Sequence, residues 1–115
     1  MKLGSEMLHE MNAKITMELI FHAGNAKSAA MEGIKKAEDG DVEAGLALIQ
    51  KARTELHEAH QIQTDLITKE IQGEQLEKTI LLIHAQDHFM AATLTIDLGE
   101  RMIQMYNKVL DNSGK

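Results

Sequence analysis

Apolar residues recur every three or four positions along nearly the whole chain, with polar, glycine-bearing breaks near residues 40 and 73. That period is the mark of amphipathic helices, and the two breaks predict three of them. Ser5 is placed to N-cap the first, with Glu6 in its opening turn, and Gly40-Asp41 pairs a C-terminal stop with a new N-cap. The second helix is predicted over Val42–Ile71, ending near Gly73, and the third from near Lys78 to about Leu110, ahead of the polar tail Asp111-Asn112-Ser113-Gly114-Lys115. Each is about 30 residues, or roughly 45 Å at 1.5 Å per residue, and short connections make neighbours antiparallel. The expectation is one all-α domain spanning residues 1–115, with an ordered core from about residue 5 to about residue 110 and no clear internal repeat.

The three faces differ. Helix 1 aligns Leu8, Met11, Ile15, Leu19, His22 and Ala26, continued by Ala29, Ala30 and Ile34. Gly24 and Gly33 inside it cost about 1 kcal/mol each against alanine, for which close helix approach is the expected compensation. Helix 2 gathers Leu48, Ala52, Leu56, Ala59, Gln63 and Leu66 on one face, leaving Lys51, Glu55, Glu58 and Asp65 as solvated surface. Helix 3 is apolar around much of its circumference: from Thr79 to Leu98 only Asp87 and Asp97 are formally charged. Two partner helices cannot cover such a helix. Identical copies are the simplest source of the missing cover, so an oligomer with helix 3 near its symmetry axis is expected.

Composition narrows the class. With 3% aromatic residues and no proline, the chain lacks the punctuation of a β-sandwich or barrel. A net charge of −6 and the absence of a basic cluster argue against nucleic-acid binding. No cysteine means no disulfide, thiolate metal site or cysteine nucleophile. The longest aliphatic run, Ile80-Leu81-Leu82-Ile83, is far short of the roughly 20 residues of a membrane span, and no signal-peptide core follows Met1. A soluble cytoplasmic protein, not inserted in the membrane, is the expectation.

Candidate chemistry gathers on helix 3. Asp87 falls within the stripe Ile80, Ile83, Met90, Leu94 and Leu98, where a covered carboxylate must be protonated, hydrogen-bonded or bound to a hard cation such as Mg²⁺. His84 lies three residues before Asp87 and four before His88, so the three share about 100° of arc. Such a set can bind a transition metal, with His60 a possible fourth ligand for metal-dependent hydrolysis. It can supply a general base, or an imidazole that accepts a phosphoryl group on nitrogen beside a donor such as His88. It can also be a pair of packed interface histidines in a non-enzymatic helical adaptor. His57 and His60, three apart, complete no known metal motif, and one of them is expected in solvent with the other near helix 3; His9 and His22 have no informative spacing. Residue pattern alone leaves these readings open.

Three ordered blocks put most weight on the phosphoryl-accepting imidazole, with the metal site and the adaptor as alternatives. Ile83-His84-Ala85-Gln86-Asp87-His88-Phe89-Met90, His22-Ala23-Gly24-Asn25-Ala26-Lys27-Ser28 and Glu58-Ala59-His60-Gln61-Ile62-Gln63-Thr64 resemble the lactose/cellobiose-class IIA component of the bacterial phosphoenolpyruvate-dependent sugar phosphotransferase system. The resemblance runs from about Met17 to Tyr106, with Phe89 standing where the family is expected to have leucine. It implies a homotrimer of three-helix subunits, a nine-helix bundle, with His84 as phosphoryl acceptor. It further implies that HPr supplies the phosphoryl group and that a cysteine of a IIB component receives it. From there the group goes to a β-disaccharide of the cellobiose, lactose or chitobiose type entering through the membrane component IIC. Asp87 from each subunit is implied to hold a divalent cation, Mg²⁺ or another, at the trimer axis. Gln86 and His88 are nominated as donors to the phosphoryl group. Gln86 points about 160° away from His84 on the same helix, so it can serve only across a subunit interface.

Overall fold

A computed structural model describes residues 2–74 and 79–113. Among them are three helices and no strands: α1 (Lys2–Glu38), α2 (Val42–Ile71) and α3 (Ile80–Ser113). The turn between α1 and α2 is tight because Gly40 adopts φ 96°, a left-handed conformation that costs glycine little, and the Asp41 carboxylate then accepts a hydrogen bond from the Ala44 N–H at 3.0 Å. At the far end of α2, Gly73 does the same at φ 92°. The Val42–Ile71 boundaries are those predicted from sequence.

Two other boundaries differ. α1 begins at Lys2, so Ser5 lies within the helix instead of capping it; the helix runs through Gly4 as well. The predicted start of the third helix, Lys78, lies outside the described residues. Its cap is Thr79, whose Oγ1 accepts from the Leu82 N–H at 3.0 Å, and the helix runs on past Leu110 to Ser113.

The core is built from small side chains. Ala23, Ala26, Ala30, Ala52, Ala59, Ala85 and Ala92 are wholly buried around Leu19, Ile49, Ile96 and Ile103. This much alanine in the seams brings the helices close together. The nearest approach is at Gly33 of α1 and Gly45 of α2: a methyl added to either would stand 2.8 or 2.7 Å from the other's carbonyl oxygen. Gly33 thus has the expected packing reason. Gly24 does not, since a Cβ there would meet nothing within 4 Å.

α1 packs extensively on both other helices, which meet each other more narrowly. Met11, expected on the α1 core stripe, is 55% exposed, because eight residues before Leu19 it has drifted about 80° off that face. The charged face of α2 is also more than solvated surface: Glu55 is half-buried, and its Oε2 lies 2.8 Å from Nδ1 of His22. On α3 the side turned away from α1 and α2 is covered by none of the described residues of the chain. Ile80, Ile83, Met90, Leu94 and Leu98 stand 86, 65, 67, 60 and 46% exposed, at spacings of three and four that carry on through Met102, Met105 and Val109.

Candidate functional site

α3 is a continuous helix through the candidate residues, so helix geometry alone sets their mutual positions. One turn separates His84 from His88, and their Nε2 atoms meet at 2.9 Å with the rings edge to face, centroids 4.3 Å apart. A contact of that kind holds one shared proton: one Nε2 donates and the other accepts with its lone pair. His84 is exposed and His88 half-buried, so the outer ring is open to a partner while the inner one is steadied by its surroundings.

Asp87 lies between them in sequence but faces the apolar stripe. It is exposed in the subunit, beside an open hollow of about 420 Å³ formed with Ile80, Ile83, His84, Gln86 and Met90. Within one chain its carboxylate therefore carries no burial penalty. The penalty expected from sequence arises only when the stripe is covered.

Gln86 sits on the other flank of the stripe, as the 160° separation from His84 requires. There Nε2 of Gln63, from α2, donates to Oε1 of Gln86 at 2.6 Å. Beyond this bond a second open hollow of about 450 Å³ runs between α2 and α3, bordered by Arg53, His60, Gln63, Phe89 and others. His60 stacks on Phe89 with ring centroids 6.0 Å apart, and among the described residues His57 reaches Gln61 on its own helix, at 3.3 Å. The expected division, one histidine in solvent and one near the third helix, holds. Arg53 is committed to Asp97 and Glu100, each at 3.4 Å.

These positions bear on the metal-hydrolysis reading. Among the described residues no group of three or more His, Cys, Asp or Glu side chains is arranged to hold a metal ion. His60, the suggested fourth ligand, packs on the flank opposite His84 and His88, so those four residues do not converge within one subunit. Sequence reasoning named His84, His88, Asp87 and Gln86. It passed over the bond to Gln63, although a glutamine on the buried face of α2, between Ala59 and Leu66, was a visible signal. The His22–Glu55 pair, 33 residues apart, left no such signal.

Comparison with known proteins gives this geometry a context. The family profile described as "PTS system, Lactose/Cellobiose specific IIA subunit" matches residues 14–107. The chain is 40% identical over 107 residues, 93% of its own length and 97% of the relative's, to the lichenan-specific phosphotransferase enzyme IIA component of Bacillus subtilis. Its fold is similar to the crystal structure of the cellobiose-specific enzyme IIA of the PTS from Bacillus anthracis, with TM-score 0.83 and 40% identity over 85% of this chain and 90% of that one. It is also similar to the IIA(Chitobiose) chain solved in solution as a complex with HPr from Escherichia coli, with TM-score 0.70 and 32% identity over 85% and 95% of the two chains.

Proposed function

The chain belongs to the lactose/cellobiose-specific IIA subunits of the PTS sugar phosphotransferase system, and from that premise we propose that it relays a phosphoryl group on His84 from HPr to a IIB component. The observation that carries the assignment to His84 is the exposed imidazole pair, with Nε2 of His88 2.9 Å from Nε2 of His84. When His88 is the donor of that bond, His84 Nε2 is held unprotonated, its lone pair engaged by His88 until an incoming phosphorus displaces the N–H.

The chemistry is an in-line exchange between two nitrogens. His84 Nε2 supplies the electron pair for the new N–P bond. The N–P bond of the phosphohistidine on HPr breaks, and its electron pair stays on that nitrogen. Each ring keeps the proton on its other nitrogen, so the cationic, phosphorylated imidazole passes from one side to the other without net proton uptake. The His88 N–H, released from the His84 lone pair, then donates to a phosphoryl oxygen. The return step is alike: the phosphoryl group leaves His84 for a thiolate on IIB. Because the group moves between sites of similar energy, little driving force is needed, and small transient interfaces of less than about 1,200 Å² suit a carrier that docks two partners in turn. The sugar delivered through IIC is a β-disaccharide of the cellobiose, lactose or chitobiose type, and the relay operates in the cytoplasm.

The working form is a homotrimer in which the uncovered α3 stripes meet around a threefold axis. The exposed Ile80, Ile83, Met90, Leu94 and Leu98 support it, as does the helical spacing that keeps them in one line. Such a meeting brings three Asp87 carboxylates together, an oxygen-only donor set that fits Mg²⁺ or another hard divalent cation. One Asp87 per chain cannot form the site alone. A cation held there by the three Asp87 carboxylates would offset their mutual repulsion at the axis.

The test is intact-protein mass after incubation with phosphoenolpyruvate, enzyme I and HPr, with His84→Ala run alongside. One acid-labile phosphate per wild-type chain, absent from a folded variant, is the expected result. Phosphate retained by His84→Ala, or none on wild type while HPr in the same tube is phosphorylated, would refute the assignment.

A further inference from the structure

Gln63 is a polar side chain on the packed face of α2, flanked one turn to either side by the buried Ala59 and Leu66. Packing alone would favour leucine there. What Gln63 does instead is donate its Nε2 hydrogen to Oε1 of Gln86 at 2.6 Å. A primary amide has one oxygen and two N–H groups. With the Gln86 oxygen turned toward Gln63 and accepting from it, the N–H groups of the Gln86 amide are the ones turned away from α2.

Threefold symmetry about the α3 stripe decides what those donors face. At 100° per residue, His84 lies about 70° to one side of the stripe and Gln86 about 90° to the other. Rotation about an axis along the stripe sets the His84 flank of one copy against the Gln86 flank of the next. It also leaves every residue at the same height in all copies. His84 and Gln86 differ by two residues, about 3 Å along the helix, whereas Arg53, held by Asp97 and Glu100, sits roughly 20 Å further down. Among the described residues, the polar groups of the neighbouring α2–α3 seam nearest the level of His84 are therefore Gln86 and Gln63, with His60, stacked on Phe89, about one helical turn further down.

Building on the relay reading, we propose that Gln63 is a positioning residue. It fixes the Gln86 amide so that its N–H groups point at the phosphoryl group on His84 of the adjacent subunit. A phosphoryl group carries acceptor oxygens only, so a Gln86 amide turned the other way would set oxygen against oxygen.

The orientation can be reversed chemically. In Gln63→Glu the carboxylate can only accept, so it draws the Gln86 N–H groups inward and turns the Gln86 oxygen toward the phosphoryl group. Gln63→Met keeps similar bulk and leaves the amide free to rotate. The readout is the equilibrium between phospho-HPr and the phosphorylated chain, in the wild-type and Gln86→Met backgrounds, with trimer mass and helix content recorded for each. With Gln86 present, Gln63→Glu is expected to move the equilibrium about tenfold toward phospho-HPr, the size of one misdirected hydrogen bond to a charged group, and Gln63→Met about threefold. In the Gln86→Met background both effects should vanish, the coupling that a double-mutant cycle isolates. Equal effects in both backgrounds would mean that charge or packing at position 63 acts directly, and would overturn the proposal; so would unchanged equilibria with Gln86 present. Wild type that takes no phosphate from phospho-HPr would instead refute the relay itself.

Discussion

Truncating Leu94 to alanine should weaken self-association far more than it weakens the subunit. Leu94 is 60% exposed in the single chain and stands mid-stripe on α3 between Met90 and Leu98. Deleting three carbons at about 0.8 kcal/mol each, scaled to the 60% newly covered on assembly, removes about 1.4 kcal/mol per copy and roughly 4 kcal/mol per trimer. That is about a thousandfold in the association constant, and because three subunits combine at once the midpoint concentration rises roughly thirtyfold. Sedimentation equilibrium over a wide concentration range reads this directly, with helix content confirming that the chain stays folded. Phe21→Ala provides the comparison. Phe21 is 53% exposed, but projects about 140° around α1 from Ile34, the residue that meets Gly99 of α3. The reasoning fails if Leu94→Ala leaves the midpoint unmoved, or if Phe21→Ala shifts it as far.

Other expectations rest on single residues. Asp87→Leu should retain or strengthen the proposed trimer, since apolar surface of similar size would replace the three carboxylates proposed to meet at its axis; a variant that sediments as a monomer would show that the cation and its ligands hold the subunits together. Gly33→Ala should lower stability to urea by roughly 1–2 kcal/mol net, because a methyl placed 2.8 Å from the Gly45 carbonyl oxygen pushes α1 and α2 apart by more than helix propensity returns. Gly24→Ala, with nothing within 4 Å of the new methyl, should raise stability by about 0.5–1 kcal/mol at the same protein concentration. Unfolding curves that move in the same direction for both glycines would contradict the packing described at the α1–α2 crossing.

What could be read from the sequence was what depends on neighbours along the chain. Val42–Ile71 was legible to the residue because Gly40 and Gly73 supply the left-handed turns and Asp41 the cap. The His84–His88 spacing was legible because one helical turn brings the two rings together wherever the helix goes. The unpartnered face of α3 could be seen in the long uncharged stretch from Thr79 to Leu98. Where the outcome rested on how helices cross, the pattern was silent. Gly24 and Gly33 look alike in sequence, and only the Gly45 contact distinguishes them. Glu55 looked like surface until α1 brought His22 against it, and the meeting of Gln63 with Gln86 depends on the register of α2 against α3. Ser5 misled for a simpler reason: a good cap residue ends a helix only where the preceding chain cannot continue it, and here it continues to Lys2.

The narrow seam between α2 and α3 also sets how the site should respond to heat. The His84–His88 separation is internal to one helix and survives any sliding of the bundle. The Gln63–Gln86 bond spans two helices that touch each other less than either touches α1, so a relative slip of an ångström along their axes breaks it while every helix stays intact. On the proposed relay, with Gln63 positioning Gln86, warming should therefore degrade the hold on phosphate in two stages. Retention on the histidine declines first, with circular dichroism still unchanged, and the capacity to be phosphorylated is lost only when α3 itself unwinds.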